Sequence, residues 1–208
     1  MRPFLCGIKI SNLLTVQRKH KKKVLRLFCG TAVCCYILFQ SGSKITFLLY
    51  NRNQLEAYLT EAGTAVLMEE FGYKGCSLGQ ILRKVASKYR EHMEGNAGFP
   101  HEIGLLLGYP PEDVKGFIIH QGKNCLEAGY WKVYADLAGR RRIFADYDNA
   151  REEIIWMLSA GMRIRKIFRM PSGGLGGNYE RDYGSILVTD REYRGNGGGC
   201  GRRNTGSR

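Results

Sequence analysis

The first 55 residues of this 208-residue chain contain no aspartate or glutamate, and the first acidic residue is Glu56. The same stretch holds ten lysines or arginines, and the whole chain has a net charge of +13. Residues 56–165 are close to neutral, with fourteen basic and fifteen acidic residues, and residues 166–208 are again basic. The positive charge therefore lies at the two ends of the chain, whereas a domain that binds phosphates usually carries it on its folded face.

The sequence also lacks the motifs of several common enzyme classes. No P-loop, GxGxxG, GxSxG or HExxH pattern occurs, and these patterns mark nucleotide-binding, hydrolase and metalloprotease sites. The seven cysteines form no CxxC spacing, which favours free thiols in a reducing cytoplasm over a disulfide framework. The longest apolar run, residues 31–39, is too short to cross a bilayer. We therefore expect a cytoplasmic protein without a membrane span.

Two apolar runs predict a β-hairpin. Ala32–Phe39 and Ile45–Tyr50 are rich in β-branched and aromatic residues, and Ser41–Ser43 between them has turn composition. Because both runs are almost entirely apolar, we expect both faces of this sheet to be covered or the strands to be central. Glu127–Ala135, which is rich in aromatic residues, predicts a third strand.

Helices are predicted on both sides of the hairpin. Before it, the apolar positions of Ser11–Phe28 are compatible with a helix. After it, Ser77 begins an amphipathic helix, Pro111 begins another with acidic residues in its first turn, and Leu137–Met162 predicts the longest. The whole pattern predicts an α+β fold, in which a small, mostly antiparallel sheet (the hairpin plus a third strand) is packed with several helices.

The periodic pattern ends near residue 167. Residues 172–208 contain eleven of the 27 glycines and few apolar residues that could form a core, which is typical of a linker or a disordered segment. We therefore divide the chain into a single α+β domain at 1–167 and a Gly/Arg-rich disordered tail at 168–208.

Three segments of the chain resemble a known family. They are residues 5–13, LCGIKISNL, residues 99–118, FPHEIGLLLGYPPEDVKGFI, and residues 129–134, GYWKVY. Together they closely resemble an uncharacterised bacterial family, found largely in clostridia and described as domain of unknown function 3793. The resemblance covers about residues 3–165 and implies a domain boundary and a cytoplasmic setting. It implies no activity, because none is assigned to the family.

His101 and Glu102 are the most reactive candidate pair. Both would lie at the start of a helix, where the partial positive charge favours an anion and lowers the pKa of a histidine. His101 could be an acid–base group or a metal ligand; alternatively, Glu102 caps the helix and His101 packs. Glu112 and Asp113, at the start of the next helix, could share a carboxylate site with Glu102 or be ordinary first-turn charges.

Five further residues could line an anion or nucleotide pocket beside that helix end: Lys9, Lys123 and Lys132, with Tyr130 and Tyr134. Lys132 and Tyr134 alternate along the predicted strand and therefore share a face, with Trp131 and Val133 toward the core. The alternative is a solvated face of alternating polar and aromatic residues.

We therefore predict an accessory protein that binds a small ligand, such as an anion, or a metal near the 99–113 helix ends, through His101, Glu102, Lys9, Lys132 and Tyr134. Two alternatives stay open. One is an enzyme that uses His101 as an acid–base group, and the other is nucleic-acid binding through the basic N- and C-terminal segments, including Arg18–Lys23. The sequence identifies no cofactor and no oligomeric state.

Overall fold

The computed structural model describes residues 9–163, together with Phe4 and Lys166. This part of the chain contains seven α-helices, a three-stranded antiparallel sheet and a separate two-stranded hairpin. The predicted α+β class and the small antiparallel sheet are confirmed. The predicted tail, 168–208, lies outside the described residues, and the division of the chain at residue 167 stays a prediction.

The strands are β1 (Ser11–Gln17), β2 (Val33–Gln40), β3 (Lys44–Asn51), β4 (Glu127–Ala128) and β5 (Lys132–Val133). The α-helices are α1 (Lys21–Phe28), α2 (Arg52–Thr60), α3 (Ala62–Glu70), α4 (Leu78–Met93), α5 (Glu102–Leu106), α6 (Pro111–Ile119) and α7 (Leu137–Ser159). A single 3-10 turn, Arg18–His20, joins β1 to α1.

The predicted hairpin is present as β2 and β3, but the third strand of the sheet is β1. The prediction of a helix over Ser11–Phe28 is therefore wrong for its first part. β1 pairs with β3 along its whole length, from Ser11 opposite Tyr50 to Gln17 opposite Lys44. These long-range hydrogen bonds outweigh the local helical pattern. Only the second part of the predicted helix is helical, as α1.

Glu127–Ala135 does not join this sheet, so the prediction that it supplies the third strand is wrong. The segment folds back on itself, with Glu127 opposite Val133 in a hairpin of two residues per strand. The turn forms at Gly129, whose backbone N–H donates to the carbonyl of Trp131 at 3.0 Å. The ring of Phe144 lies where a Cβ at Gly129 would be, so only glycine permits this approach.

The central strand β3 has both faces covered, as its apolar sequence predicts. The same expectation is wrong for β2, which is an edge strand whose residues are mostly only partly buried. Alternate residues of β3 face two different clusters of buried side chains. The smaller cluster, the α1-side core, contains Leu14, Val24, Phe28, Ile45, Phe47, Leu49, Ile154 and Met157 together with Phe4. The larger cluster, the main core, lies on the opposite face and combines Leu48 and Leu38 with α2–α7, β5 and Trp131.

α7 is the one described helix that contributes buried residues to both cores. Phe144 and Tyr147, near its start, belong to the main core. Ile154 and Met157, near its end, belong to the α1-side core. Among the helices that the structure describes, none has the length and apolar character needed to cross a membrane.

Candidate functional site

Glu102, the first residue of α5, is a buried carboxylate with two hydrogen-bond donors on one of its oxygens. It is 3% exposed, and its Oε1 accepts hydrogen bonds from Tyr73 Oη at 2.6 Å and Lys88 Nζ at 2.7 Å. A buried carboxylate needs such partners because an unpaired charge is costly to remove from water. Burial, followed by the hydrogen bond to Glu102, raises the pKa of Tyr73, so the phenol stays protonated and donates.

Lys88 is the cation that balances this buried charge. Its side chain is roughly half exposed, and Nζ lies 4.9 Å from the centre of the Tyr73 ring, within cation–π range. The ammonium therefore connects a buried carboxylate, an aromatic face and the surface. It is carried by α4, which is capped by Ser77. The Gln80 side chain accepts a hydrogen bond from the Ser77 backbone N–H at 2.8 Å.

His101 precedes α5 and lies between two aromatic rings. Its imidazole centre is 6.0 Å from that of Phe99 and 5.5 Å from that of Phe117. Burial lowers the pKa of His101 below its ordinary value of 6.5, and the neighbouring charge of Glu102 opposes the shift. The imidazole is therefore neutral at neutral pH and can donate one hydrogen bond and accept another.

A surface groove of about 490 Å³ lies beside these groups. It runs between α4 and the segment that leads into α5. The residues that line it include Phe71, Lys88, Glu91, Phe99, His101 and Glu102. The groove thus brings two of the predicted site residues together with a cation and aromatic walls.

Lys132 and Tyr134 lie around α6 and are not among the residues that line the groove. Lys132 Nζ donates to the carbonyl of Gly122 at 2.6 Å and lies 5.8 Å from the Phe117 ring centre. Tyr134 stacks on His120, with ring centres 5.5 Å apart and planes inclined by 5°. Lys132 therefore shares the Phe117 ring with His101, but its ammonium is held by a carbonyl.

Lys9 also does not line the groove, and its hydrogen bond and cation–π contact involve neither His101 nor Lys132. It is 8% exposed, and its Nζ lies 3.3 Å from Asn12 Oδ1 and 5.5 Å from the centre of the Tyr109 ring. The five predicted site residues therefore occupy three places: His101 and Glu102 at the groove, Lys132 and Tyr134 around α6, and Lys9 against Tyr109.

Asp113, in the first turn of α6, organises a second buried network. It is 2% exposed, and its two oxygens accept four hydrogen bonds at 2.7–3.2 Å. The donors are Trp131 Nε1, the backbone N–H groups of Tyr134 and Ala135, and Arg140 Nε. None of these donors binds Glu102, so the two carboxylates belong to separate hydrogen-bond networks. The network of Asp113 joins α6 to the residues that flank β5 and to α7.

Two residues of the groove network escaped the sequence analysis, Tyr73 and Lys88. A usable signal was present, because a glutamate followed by the apolar run 103–107 predicts a buried charge that needs a cation. Which of the many lysines supplies that cation depends on how α4 packs against α5, and the sequence alone does not specify that packing.

No group of three or more His, Cys, Asp or Glu side chains is arranged to hold a metal ion in the described part of the chain. Comparisons with curated proteins and with solved structures found no match. A family model described as "Protein of unknown function (DUF3793)" matches residues 1–168, which include both cores, α5 and the groove. The resemblance noted in the sequence is confirmed, and the chain belongs to the DUF3793 family of proteins of unknown function.

Proposed function

We propose that this protein is a cytoplasmic accessory protein that binds a small organic molecule in the groove beside His101. The observation that carries the proposal is the meeting of Lys88, His101 and the rings of Phe71 and Phe99 around about 490 Å³ of space. Sites for small molecules commonly have this size and combine aromatic walls with a few polar groups. The cytoplasmic setting is supported by the cysteines, since no disulfide joins those that the structure describes.

The polar groups of the groove indicate the class of ligand. Lys88 has three N–H donors, and the structure shows one hydrogen bond from it, to Glu102. The remaining donors and the neutral His101 imidazole can bind acceptor atoms of a ligand, while Phe71 and Phe99 can cover a flat apolar body. We infer a small ring compound that carries a carboxylate or a comparable acceptor group.

An enzyme that uses His101 as a base is the second candidate. The lowered pKa of His101 supports it, because a neutral imidazole can accept a proton from a bound molecule at neutral pH. The two functions differ in turnover, since a binding protein returns its ligand unchanged. Mass analysis of the ligand after incubation with the protein separates them.

Binding is tested by native mass spectrometry of the purified protein and by calorimetry with benzoate, salicylate and nicotinate as probes. We expect a co-purifying small molecule, or binding of at least one probe, that is weakened about tenfold or more in Lys88→Met, in line with the loss of a charge-assisted hydrogen bond. The matched control is Lys132→Met, which removes a lysine held away from the groove and should bind normally.

A further variant separates lost binding from lost folding. Lys88→Met leaves Glu102 buried without its cation, whereas Lys88→Met combined with Glu102→Gln removes both charges and should fold. The double variant should also bind weakly. Normal binding in Lys88→Met, or an empty protein that binds none of the probes, would reject the groove as the site.

A further inference from the structure

The basic segment Arg18–Lys23 is part of the folded domain. The strand before it, β1, pairs with β3 along its full length, and the helix after it, α1, buries Val24 and Phe28 in the α1-side core. The Arg18 backbone N–H donates to the Ser43 carbonyl at 2.7 Å, which fixes the segment against the β2–β3 turn. This charge lies near one end of the sequence, and the structure holds it at the end of the sheet, beside the β2–β3 turn.

The cations of this segment point into solvent. Five of its six residues are lysine or arginine, and all of them are exposed except Lys21, which is partly buried. Within the described residues, Arg18, Lys19, Lys22 and Lys23 form no ion pair and no side-chain hydrogen bond. Residues 9–55 also contain no acidic side chain that could neutralise them.

These cations surround a concave surface. A depression of about 580 Å³ beside the segment is lined by Gln17, Arg18, Lys19, Gly42, Ser43 and Lys44. On α1, Lys22 and Arg26 are four residues apart and lie opposite the buried Val24, because successive helical residues turn by 100°. Exposed cations thus lie both at this end of the sheet and on the outer side of α1, and the turn Arg18–His20 joins the two parts of this region.

We propose that this region binds the phosphate backbone of a nucleic acid without reading its bases. We call it the basic surface and define it by Arg18, Lys19, Lys22, Lys23, Arg26 and Lys44. The proposal is independent of the groove, which lies in another part of the fold. Several cations held by a rigid scaffold can each neutralise a phosphate and release its counterion.

The composition of the basic surface favours nucleic acid over a lipid membrane. A helix that lies in a membrane surface inserts its apolar face, but α1 buries Val24 and Phe28 in the α1-side core and exposes one large apolar side chain, Leu25. No aromatic side chain lines the depression, and Phe28, the aromatic residue of α1, is buried, so neither offers a ring on which bases could stack. Contact therefore depends on charge, and sequence-independent binding to phosphates is expected.

The experiment measures the affinity of the full chain for a fluorescent duplex of about 20 base pairs, made as DNA and as RNA, and for the matching single strands. Anisotropy titrations are repeated from about 50 to 200 mM KCl. We expect the logarithm of the affinity to fall linearly with the logarithm of the salt concentration. For five or six phosphate contacts the slope should be about −4.5 to −5.4 with a duplex and about −3.5 to −4.2 with a single strand. The nucleic acid that binds most tightly, DNA or RNA and duplex or single strand, identifies the kind of partner.

The decisive comparison uses two triple variants with the same change in net charge. Lys19→Ala/Lys22→Ala/Lys23→Ala should make the slope shallower by about 2 to 3 and weaken binding at least about tenfold. Lys123→Ala/Arg142→Ala/Arg151→Ala removes three exposed cations elsewhere and should change the affinity by less than about twofold.

Three results would overturn the proposal. The first is an equal loss in the two triple variants, because binding would then follow net charge and not this surface. The second is an affinity that does not change with salt. The third is binding to phosphatidylserine vesicles without binding to any of the nucleic acids, which would assign the basic surface to membranes.

Discussion

Asp113 and Glu112 are neighbouring carboxylates that bind the same arginine in different surroundings. The Asp113 side chain is buried and accepts four hydrogen bonds, whereas the Glu112 side chain is 58% exposed and pairs with Arg140 at 3.3 Å. We expect Asp113→Asn to lower the free energy of unfolding by about 3 kcal/mol, because the new amide places a donor where donors already converge. Glu112→Gln should change it by less than about 0.5 kcal/mol. Urea unfolding of both variants measures the difference, and equal effects would contradict the role of Asp113.

His101 should give the stability a pH dependence of definite sign. Burial lowers its folded-state pKa below 6.5, so the unfolded chain binds the proton more readily. The free energy of unfolding should therefore be unaffected by His101 above pH 6.5 and should fall as the pH decreases from there toward the folded-state pKa.

The measurement compares wild type with His101→Gln by urea unfolding between about pH 8 and pH 5. The difference between their free energies of unfolding should be constant at high pH and should shift against the wild type below about pH 6.5. A difference that stays constant over the whole range would show that His101 is not desolvated in the folded protein.

At the scale of single residues, the sequence located part of the candidate site. His101 and Glu102 could be selected because two adjacent titratable residues ahead of the apolar run 103–107 are conspicuous. Lys9, Lys132 and Tyr134 were grouped with them by residue type, but their actual contacts depend on tertiary packing. Since Lys9 packs against Tyr109 and Lys132 binds Gly122, only the folded chain separates these residues from the groove.

At the scale of elements, local patterns were predicted well and distant pairing was not. The β2–β3 hairpin is closed by a short turn, so its strands could be located from composition alone. β1 pairs with a strand whose residues lie 27 (Gln17 with Lys44) to 39 (Ser11 with Tyr50) positions further along the chain. Its adjacent Leu13 and Leu14 pack against opposite cores, and a strand with both faces covered loses the alternation that distinguishes it from a helix.

The contact between α6 and the segment after β5 depends on Gly116. A Cβ at this position would lie 2.5 Å from Cβ and Cγ of Tyr134. We expect Gly116→Ala to lower the free energy of unfolding by about 2 kcal/mol, because the two segments must move apart. Gly79→Ala is the matched control in α4, where no atom lies within 4 Å of the added methyl group, and it should be neutral or stabilising by up to about 1 kcal/mol. Thermal unfolding of both variants tests the contact. Equal stabilities would show that the Tyr134 side chain can move aside for the added methyl group.

At the scale of the whole molecule, α7 should make the two cores unfold together. Ile154 is fully buried in the α1-side core, whereas Trp131 reports on the main core. We expect Ile154→Ala to lower the free energy of unfolding by about 2–4 kcal/mol through the cavity that it leaves. The same shift should appear in Trp131 fluorescence, measured in a Trp156→Phe background.

The matched control is Leu158→Ala on the same helix, where the side chain is 40% exposed and the expected loss is below about 1 kcal/mol. A Trp131 transition that does not move in Ile154→Ala would mean that the two cores unfold independently.

The position of α7 in the chain also determines when the protein can finish folding during its synthesis. The three strands of the sheet are complete once residue 51 has been made, but neither core is closed until the ribosome has added Phe144, Tyr147, Ile154 and Met157. Until then, the α1-side core lacks Ile154 and Met157, so part of the apolar face of β3 stays exposed, and exposed apolar surface favours aggregation. We therefore expect the synthesis of α7 to be the step that closes both cores.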